Sequence, residues 1–452
     1  MTLPDFGPSY DAAESLEMMQ LAAAADAFLP FHAPAGMPAY LDPTRPATGS
    51  PFDPAKQGEM PSIFYDRWPS NWRAAGDGTW GDWIIESRLG NQALLAGLVD
   101  QTTIPTYCLT FRGTMTAFNA VEDFFALPVP PRKGAMEDLL PKAIRDWLPE
   151  ELQIILKYLN SSKCYVDMDN NVTAEKARIH LGFRIALESL DSALVQATEG
   201  LDFLPKITNP LKINYLSGRI NTILKSLGPD KNEINLYVTG HSLGAGMAAL
   251  AATWLATQPF PGYKINVKCY SFAQPKPGND YFSYATDIMF RKKGFGFYTV
   301  LNSLDTVPQV PLTIQTSDNL NYWQGIEGIA RAASDWPIID KFFKFASNIN
   351  LPYSLNYMHA GTLVILDGQP VVTSPQTPEN IYTFPMNGKD EVPFPEYLVN
   401  QVKKPGLITV PQSEWNISKP TTSNAPKVNT TFSNLWQHMP YTYEQLLVQA
   451  LS

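Results

Sequence analysis

The chain is short of cysteine, with three thiols, Cys108, Cys164 and Cys269, in 452 residues. An odd and widely spaced set gives neither a disulfide framework nor a zinc-ligand pattern. Cys108 and Cys269 lie in apolar, strand-like runs and read as buried small hydrophobes. Histidine is scarce too, with five copies, so any step that needs an imidazole has few candidates. Runs of Lys and Arg are missing, and the formal net charge is -9. That balance argues against a phosphate-binding footprint and hence against a nucleic-acid partner; an acidic surface speaks mainly to solubility. The first residues, "MTLPDFGPSYDAAESLEMMQ", have no basic start followed by an apolar core, so no standard signal peptide is expected and the localisation stays open between cytoplasmic and exported. The longest low-polarity stretch, "LGAGMAALAATWLA", falls short of the about twenty residues that span a bilayer, and no transmembrane segment is expected.

What is present is enough apolar content, 44%, to bury a sizeable core. Residues 11–29 read as an amphipathic helix with Met18, Met19, Leu21 and Phe28 as its apolar members, followed by a Pro- and Gly-rich surface stretch over 30–61. "DWIIESRLGNQALLAGLVD" reads as a hairpin turning near Gly90-Asn91, and "TYCLTFRGT" as a strand ending in a glycine turn. "MTAFNAVEDFFAL" has helical spacing and is stopped by Pro128, and helix-rich sequence fills 136–227. Then "INLYVTG", the helix 243–257, "INVKCYSFA" and "FYTVLNSLD" alternate strand and helix. Such alternation predicts an α/β fold with a parallel sheet covered on both faces. Beyond Asp305 the pattern loosens: a helix over 337–347, a hairpin "GTLVILDGQPVVT" turning at Asp367-Gly368, loop over 374–427 and a closing helix over 443–451.

One short stretch carries chemistry. "INLYVTGHSLGAG" sets Ser242 between Gly240 and Gly244, after a buried strand and before an alanine-rich helix. A turn that sharp forces unusual backbone angles on the serine, requires small neighbours, and exposes the hydroxyl above a helix N-terminus. Serine needs a base, usually a histidine oriented by a carboxylate, and in this arrangement the order is Ser, Asp or Glu, His. Asp305, in "VLNSLDTVPQVP", ends an apolar strand and fits the carboxylate. Of the five histidines, His32 and His180 precede the serine, and His241 adjoins it with its side chain pointing elsewhere. His359 precedes a strand, whereas parallel sheets carry their active edge where strands end. His438, between the last strand and the last helix, is therefore preferred, with His359 as the alternative base. For the oxyanion, the N–H of Leu243 and that of Thr114, after the earlier strand, are the expected donors.

In order along the chain, "FRGT", "HLGF", "GHSLGAGMAAL", "FAQPKPGN", "LDTVPQVP", "YMHAG" and "QHMPYTYEQL" resemble the class 3, fungal-type triacylglycerol lipase family of the α/β-hydrolase superfamily. The resemblance implies a mostly parallel sheet flanked by helices, with large helical and loop insertions. It makes Ser242 the nucleophile, Asp305 the triad acid, His438 the base, and Thr114 and Leu243 the oxyanion hole. It also implies that His180 is structural, that Asp123 is a local anchor, and that the helix with Phe118, Phe124 and Phe125, within 115–127, stands where the family's lid lies. The expected domains are an N-terminal helix and loop extension, 1–80, and a single hydrolase domain, 81–452, with insertions near 127–167, 187–232, 312–357 and 374–430. The implied activity is serine carboxylic-ester hydrolysis on acylglycerols or other fatty-acid esters through an acyl-enzyme, with transient contact to a lipid surface. Phospholipase A1-type cleavage, acyl transfer, and a lipid-binding protein with weak catalysis are the alternatives. No cofactor and no metal are called for; Asp169, Asn170 and Asn171 read as a solvated turn rather than a calcium site. Gln274 and Lys276, in "FAQPKPGN", depart from the family without a visible consequence.

Overall fold

The computed structural model describes residues 6–25, 69, 71–75, 83–87, 91–99, 103–113, 127–135, 153, 156–157, 160–161, 163–167, 175–191, 215–228, 231–303, 305, 307–311, 357–368, 438 and 440–451. The first apolar runs form β1 (Trp72–Ala74), β2 (Ile84–Glu86), β3 (Gln92–Leu98) and β4 (Thr106–Phe111). Four short strands follow: β5 (Pro128–Val129), β6 (Gly134–Ala135), β7 (Asn160–Ser161) and β8 (Ile179–His180). The later strands are β9 (Glu233–His241), β10 (Lys264–Phe272), β11 (Gly278–Asn279), β12 (Gly296–Asn302), β13 (Tyr357–Met358) and β14 (Thr362–Leu366). The helices are α1 (Ala12–Ala25), α2 (Leu181–Ser189), α3 (Leu216–Ser226), α4 (Leu243–Thr257), α5 (Asp280–Lys293) and α6 (Pro440–Leu451).

The main sheet runs β1-β3-β4-β9-β10-β12-β14, with β2 also on β3. From β4 onward every neighbouring pair is parallel, while β1, β2 and β4 are antiparallel to β3. The carboxyl ends of β4, β9, β10, β12 and β14 therefore share one edge. β9 is buried along nearly its whole length because both its faces are covered. Its alternate side chains divide between them. Tyr237 and Thr239 bond to α1, at Glu14 and at the Met18 carbonyl. On β10, Tyr270 turns to α1 and the next residue, Ser271, to the Ala245 carbonyl of α4.

The expected helix over 11–29 is α1, but it is buried rather than amphipathic on a surface. Met18, Met19, Leu21 and Glu14 are all 0% exposed, and Glu17 is buried as well. α1 and β1, both inside the expected N-terminal extension, pack in the same core as the sheet. The helix-rich region supplies α2 and α3, and the final helix starts somewhat earlier than expected, at Pro440. α5, between β11 and β12, is an element beyond those expected, a helix with a mostly polar surface. β14 forms the first arm of the expected hairpin and runs parallel to β12; the return arm, the helix over 337–347, the loop over 374–427, Phe28, His32 and the helix over 115–126 lie outside the described residues. No described helix is long and apolar enough to cross a membrane.

Candidate active site

Ser242 stands between β9 and α4 with φ 57° and ψ -126°, a strained combination for a residue with a side chain. Angles of this kind cost about 1–3 kcal/mol and persist only where the surroundings over-determine them. Here they do: Ser242 N–H donates to the Phe272 carbonyl at 3.1 Å, and the Ser242 carbonyl accepts from Ala245 at 2.9 Å and Gly246 at 3.2 Å. The flanking glycines are fixed by close approach. A Cβ on Gly240 would lie 2.3 Å from the Gly244 carbonyl oxygen, and one on Gly244 would lie 2.3 Å from the Phe111 carbonyl oxygen. Neither position admits alanine without moving backbone. The second contact also presses the first turn of α4 against the exit of β4.

His438 Nε2 lies 2.7 Å from Ser242 Oγ, and His438 Nδ1 lies 2.9 Å from Asp305 Oδ2. A carboxylate only accepts, so Nδ1 carries the proton and Nε2 is left as the acceptor for the serine hydroxyl. Ser242 leaves the carboxyl edge at the end of β9, Asp305 follows β12, and His438, itself helical, stands two residues before the start of α6. All three are buried: Ser242 is 9% exposed, His438 6% and Asp305 2%. His359 stands apart from this chain of bonds. It precedes β14, which is parallel to β12, and so lies at the opposite edge of the sheet from Asp305. Its carbonyl accepts from Ser283 Oγ at 2.6 Å, and burial, with Lys276 nearby, pushes its imidazole down to about 3.

Two residues of the site were not singled out from sequence. Tyr443, on α6, donates its hydroxyl to Asp305 Oδ2 at 2.7 Å and accepts the Asn302 N–H at 3.0 Å. Burial, then the Asp305 charge, push the phenol upward, so it stays protonated and remains a donor. With Val307 N–H on Oδ1 at 2.9 Å, the Asp305 carboxylate accepts from the imidazole, the phenol and the backbone. A signal for Tyr443 existed in the aromatic residues after His438, but only the fold shows which of them reaches the carboxylate. His241 is the other. Its side chain makes no bond to the serine, yet its Nε2 lies 2.6 Å from the His438 carbonyl oxygen.

Leu243 opens α4, where the first N–H groups have no carbonyl one turn back within the helix. Thr114 lies outside the described residues, but the strand end that leads to it is well held. The backbone N–H of Arg112 donates to the Gln92 carbonyl at 3.0 Å, and its buried guanidinium donates to Gln92 Oε1 at 3.0 Å. The two family departures have structural work. Gln274 donates to Ser271 and Thr299 hydroxyls and accepts the Ala360 N–H, joining the end of β10 to the start of β14. Lys276 donates to the Gln309 carbonyl at 3.0 Å, holding the loop beyond Asp305, and burial lowers its amine to about 8. His180 caps α2, accepting the Phe183 N–H and stacking on that ring at 3.9 Å. Burial raises the Cys108 and Cys269 thiols well above their ordinary value, which leaves them unreactive. Asp123 and the Asp169–Asn171 turn lie outside the described residues, and among those described no acid, His or Cys cluster has the geometry to hold a metal.

A mostly parallel sheet whose central strand turns through a serine into a helix, with an aspartate and a histidine delivered by later connections, defines the α/β-hydrolase class. Within that class the match is narrower. Residues 108–315, from β4 to just past the Asp305 loop, match the family model described as Lipase (class 3), the family that the motifs resemble. A secreted mono- and diacylglycerol lipase of Malassezia globosa is 37% identical over 98 residues, 22% of this chain and 30% of that protein. The secreted mono- and diacylglycerol lipase A of Penicillium cyclopium is 32% identical over 128 residues, 28% of this chain and 39% of that protein. The matches thus span about a third of these relatives' own length. Among solved structures, the M37 lipase aligns over 87% of this chain and 89% of its own, at 14% identity and a TM-score of 0.42.

Proposed function

We propose that this protein is a serine carboxylic-ester hydrolase of lipase type. The observation that carries the reading is the continuous hydrogen-bonded path from Ser242 Oγ through His438 to Asp305 at the strained turn of a parallel sheet. In this reading His438 Nε2 takes the proton of Ser242 as the oxygen attacks an acyl carbonyl. Asp305 holds the Nδ1–H tautomer and stabilises the imidazolium that forms. The developing oxyanion is received by the Leu243 N–H at the helix start and by Thr114 from the loop after β4. His438 then gives its proton to the departing alkoxide. Water, deprotonated in turn by His438, releases the acyl group as a fatty acid. Acylglycerols are the proposed substrates, by analogy with what the partial relatives are named for, and the contact with a lipid surface is transient. Phospholipids come second, since the sequence carries no run of Lys and Arg to receive their head groups.

Hydrolysis of p-nitrophenyl esters of rising acyl length tests this. Ser242→Ala and His438→Ala should lose at least about 10³-fold in kcat, while His359→Ala keeps measurable turnover. A preference for long chains marks a lipase, and one for short chains an esterase. Loss of activity in His359→Ala with retention in His438→Ala would overturn the assignment of the base.

A further inference from the structure

We propose that His241 is a positioning residue for this reaction: its Nε2–H grips the backbone carbonyl of His438 and so holds the base at its distance from Ser242. The proposal rests on the reading of Ser242, His438 and Asp305 given above and adds a residue to it.

The geometry is direct. A carbonyl carries no proton, so in the 2.6 Å contact His241 Nε2 is the donor and its neutral ring is the Nε2–H tautomer. His241 is the last residue of β9, in register with Phe272 of the neighbouring strand, so its backbone is held by the sheet. His438 belongs to no strand; it is itself helical and stands two residues before Pro440, the first residue of α6. The His241 bond therefore ties the backbone of the base to the strand that carries the nucleophile, across 197 residues of chain. The two imidazoles lie 4.7 Å apart and tilted by 40°, and the Tyr443 ring meets His241 edge-on at 5.8 Å. His241 is 3% exposed, so nothing in solvent competes for the bond.

Charge supports the arrangement. Turnover makes His438 an imidazolium, and a second cation at this distance would oppose it. Burial first, and the neighbouring His438 second, hold His241 far below the ordinary imidazole value, so it stays neutral while it donates. A lysine or arginine could not hold this carbonyl without placing a charge beside the base.

Two buried polar substitutions of similar character test the point. The amide nitrogen of His241→Gln reaches approximately where Nε2 stands, whereas that of His241→Asn stops near Nδ1, short of the carbonyl. The readouts are kcat and KM on a p-nitrophenyl ester and the inactivation rate with a fluorophosphonate, which reports the activation of Ser242 by its base without turnover. Each is normalised to the folded fraction from circular dichroism. His241→Asn should lower kcat and the inactivation rate by about 10- to 100-fold with KM changed less than about twofold, the signature of misplaced groups rather than lost binding. His241→Gln should recover most of that loss. Equal impairment of both variants, or wild-type turnover in His241→Asn, overturns the proposal. Failure of the underlying reading looks different: wild type itself would then neither hydrolyse the ester nor react with the fluorophosphonate.

Discussion

At the scale of single residues, the site is an exercise in satisfying one carboxylate. Asp305 is 2% exposed, so its oxygens need partners from the protein rather than from water. The Tyr443 hydroxyl and the Val307 N–H supply them by donating to it. Tyr443→Phe removes the phenol while keeping the ring. It removes one acceptor of the Asn302 N–H and leaves the carboxylate short of one donor. A hydrogen bond to a charged group is worth about 1.5–3 kcal/mol, so kcat/KM should fall about tenfold or more, with most of the change in kcat. A variant with unaltered steady-state kinetics would show that the phenol serves packing only. The contrast with Ser242 shows what a sequence reveals at this scale. The serine is legible because its constraints are local: strand, small residue, serine, small residue, helix. Asp305 follows from chain order and His438 from elimination among five histidines. Tyr443 and His241 meet their partners across 138 and 197 residues, and no local pattern encodes such a contact.

At the scale of elements, α1 shows how a correct assignment can still miss what an element does. The apolar spacing of Met18, Met19 and Leu21 predicts a helix, and a helix forms. The same spacing sets Glu14 four residues before Met18 and Glu17 four before Leu21, so both carboxylates share the apolar face, and both are buried. Glu14 accepts from Tyr237 at 2.6 Å, from Tyr270 at 2.7 Å and from the buried ammonium of Lys268, while Glu17 accepts from Asn71 and Trp72. The other end of α1 meets α6 through Gln20 and Glu444. α1 thus touches both the strand before Ser242 and the helix after His438. The opposite error befell α5, whose exposed, charged surface hides its periodicity. Its punctuation was there to read: Asn279 caps the start by accepting the Phe282 N–H, and Gly294 ends it at φ 68°. For α1 the expected outcome is a stability effect. Glu14→Gln leaves Lys268 as an uncompensated buried charge, which typically costs about 3–5 kcal/mol. Adding Lys268→Met should restore part of the loss. Denaturant midpoints of the two single variants and the double variant measure the coupling, and strict additivity would mean that the pair contributes no specific interaction.

At the scale of the whole molecule, the buried imidazoles set how the fold responds to acid. His359 is held at about 3 by burial and by Lys276, whose own amine, at about 8, remains charged throughout the acid range. In the unfolded chain the same imidazole binds a proton near pH 6.5. Below that value the unfolded state holds a proton that the folded state refuses, so stability falls with falling pH, by up to about 1.4 kcal/mol per pH unit, until the folded value near 3 is reached. Above pH about 6.5 the group is neutral in both states and contributes no slope. His241, lowered by burial and by His438, acts in the same direction from the same starting pH. The two stand at opposite edges of the sheet, one at the start of β14 and one at the end of β9, so acid loosens the fold from both sides. Unfolding free energies from urea titrations between pH 7 and 4.5 should therefore decline for the wild type. The decline in His359→Gln should be shallower by about 1.4 kcal/mol per pH unit, even where the variant is less stable at pH 7. The difference between the two curves isolates His359 from the carboxylates, which titrate identically in both proteins. Parallel curves would mean that the folded protein accepts a proton at this position after all, through a rearrangement around Lys276 that moves the ring toward water.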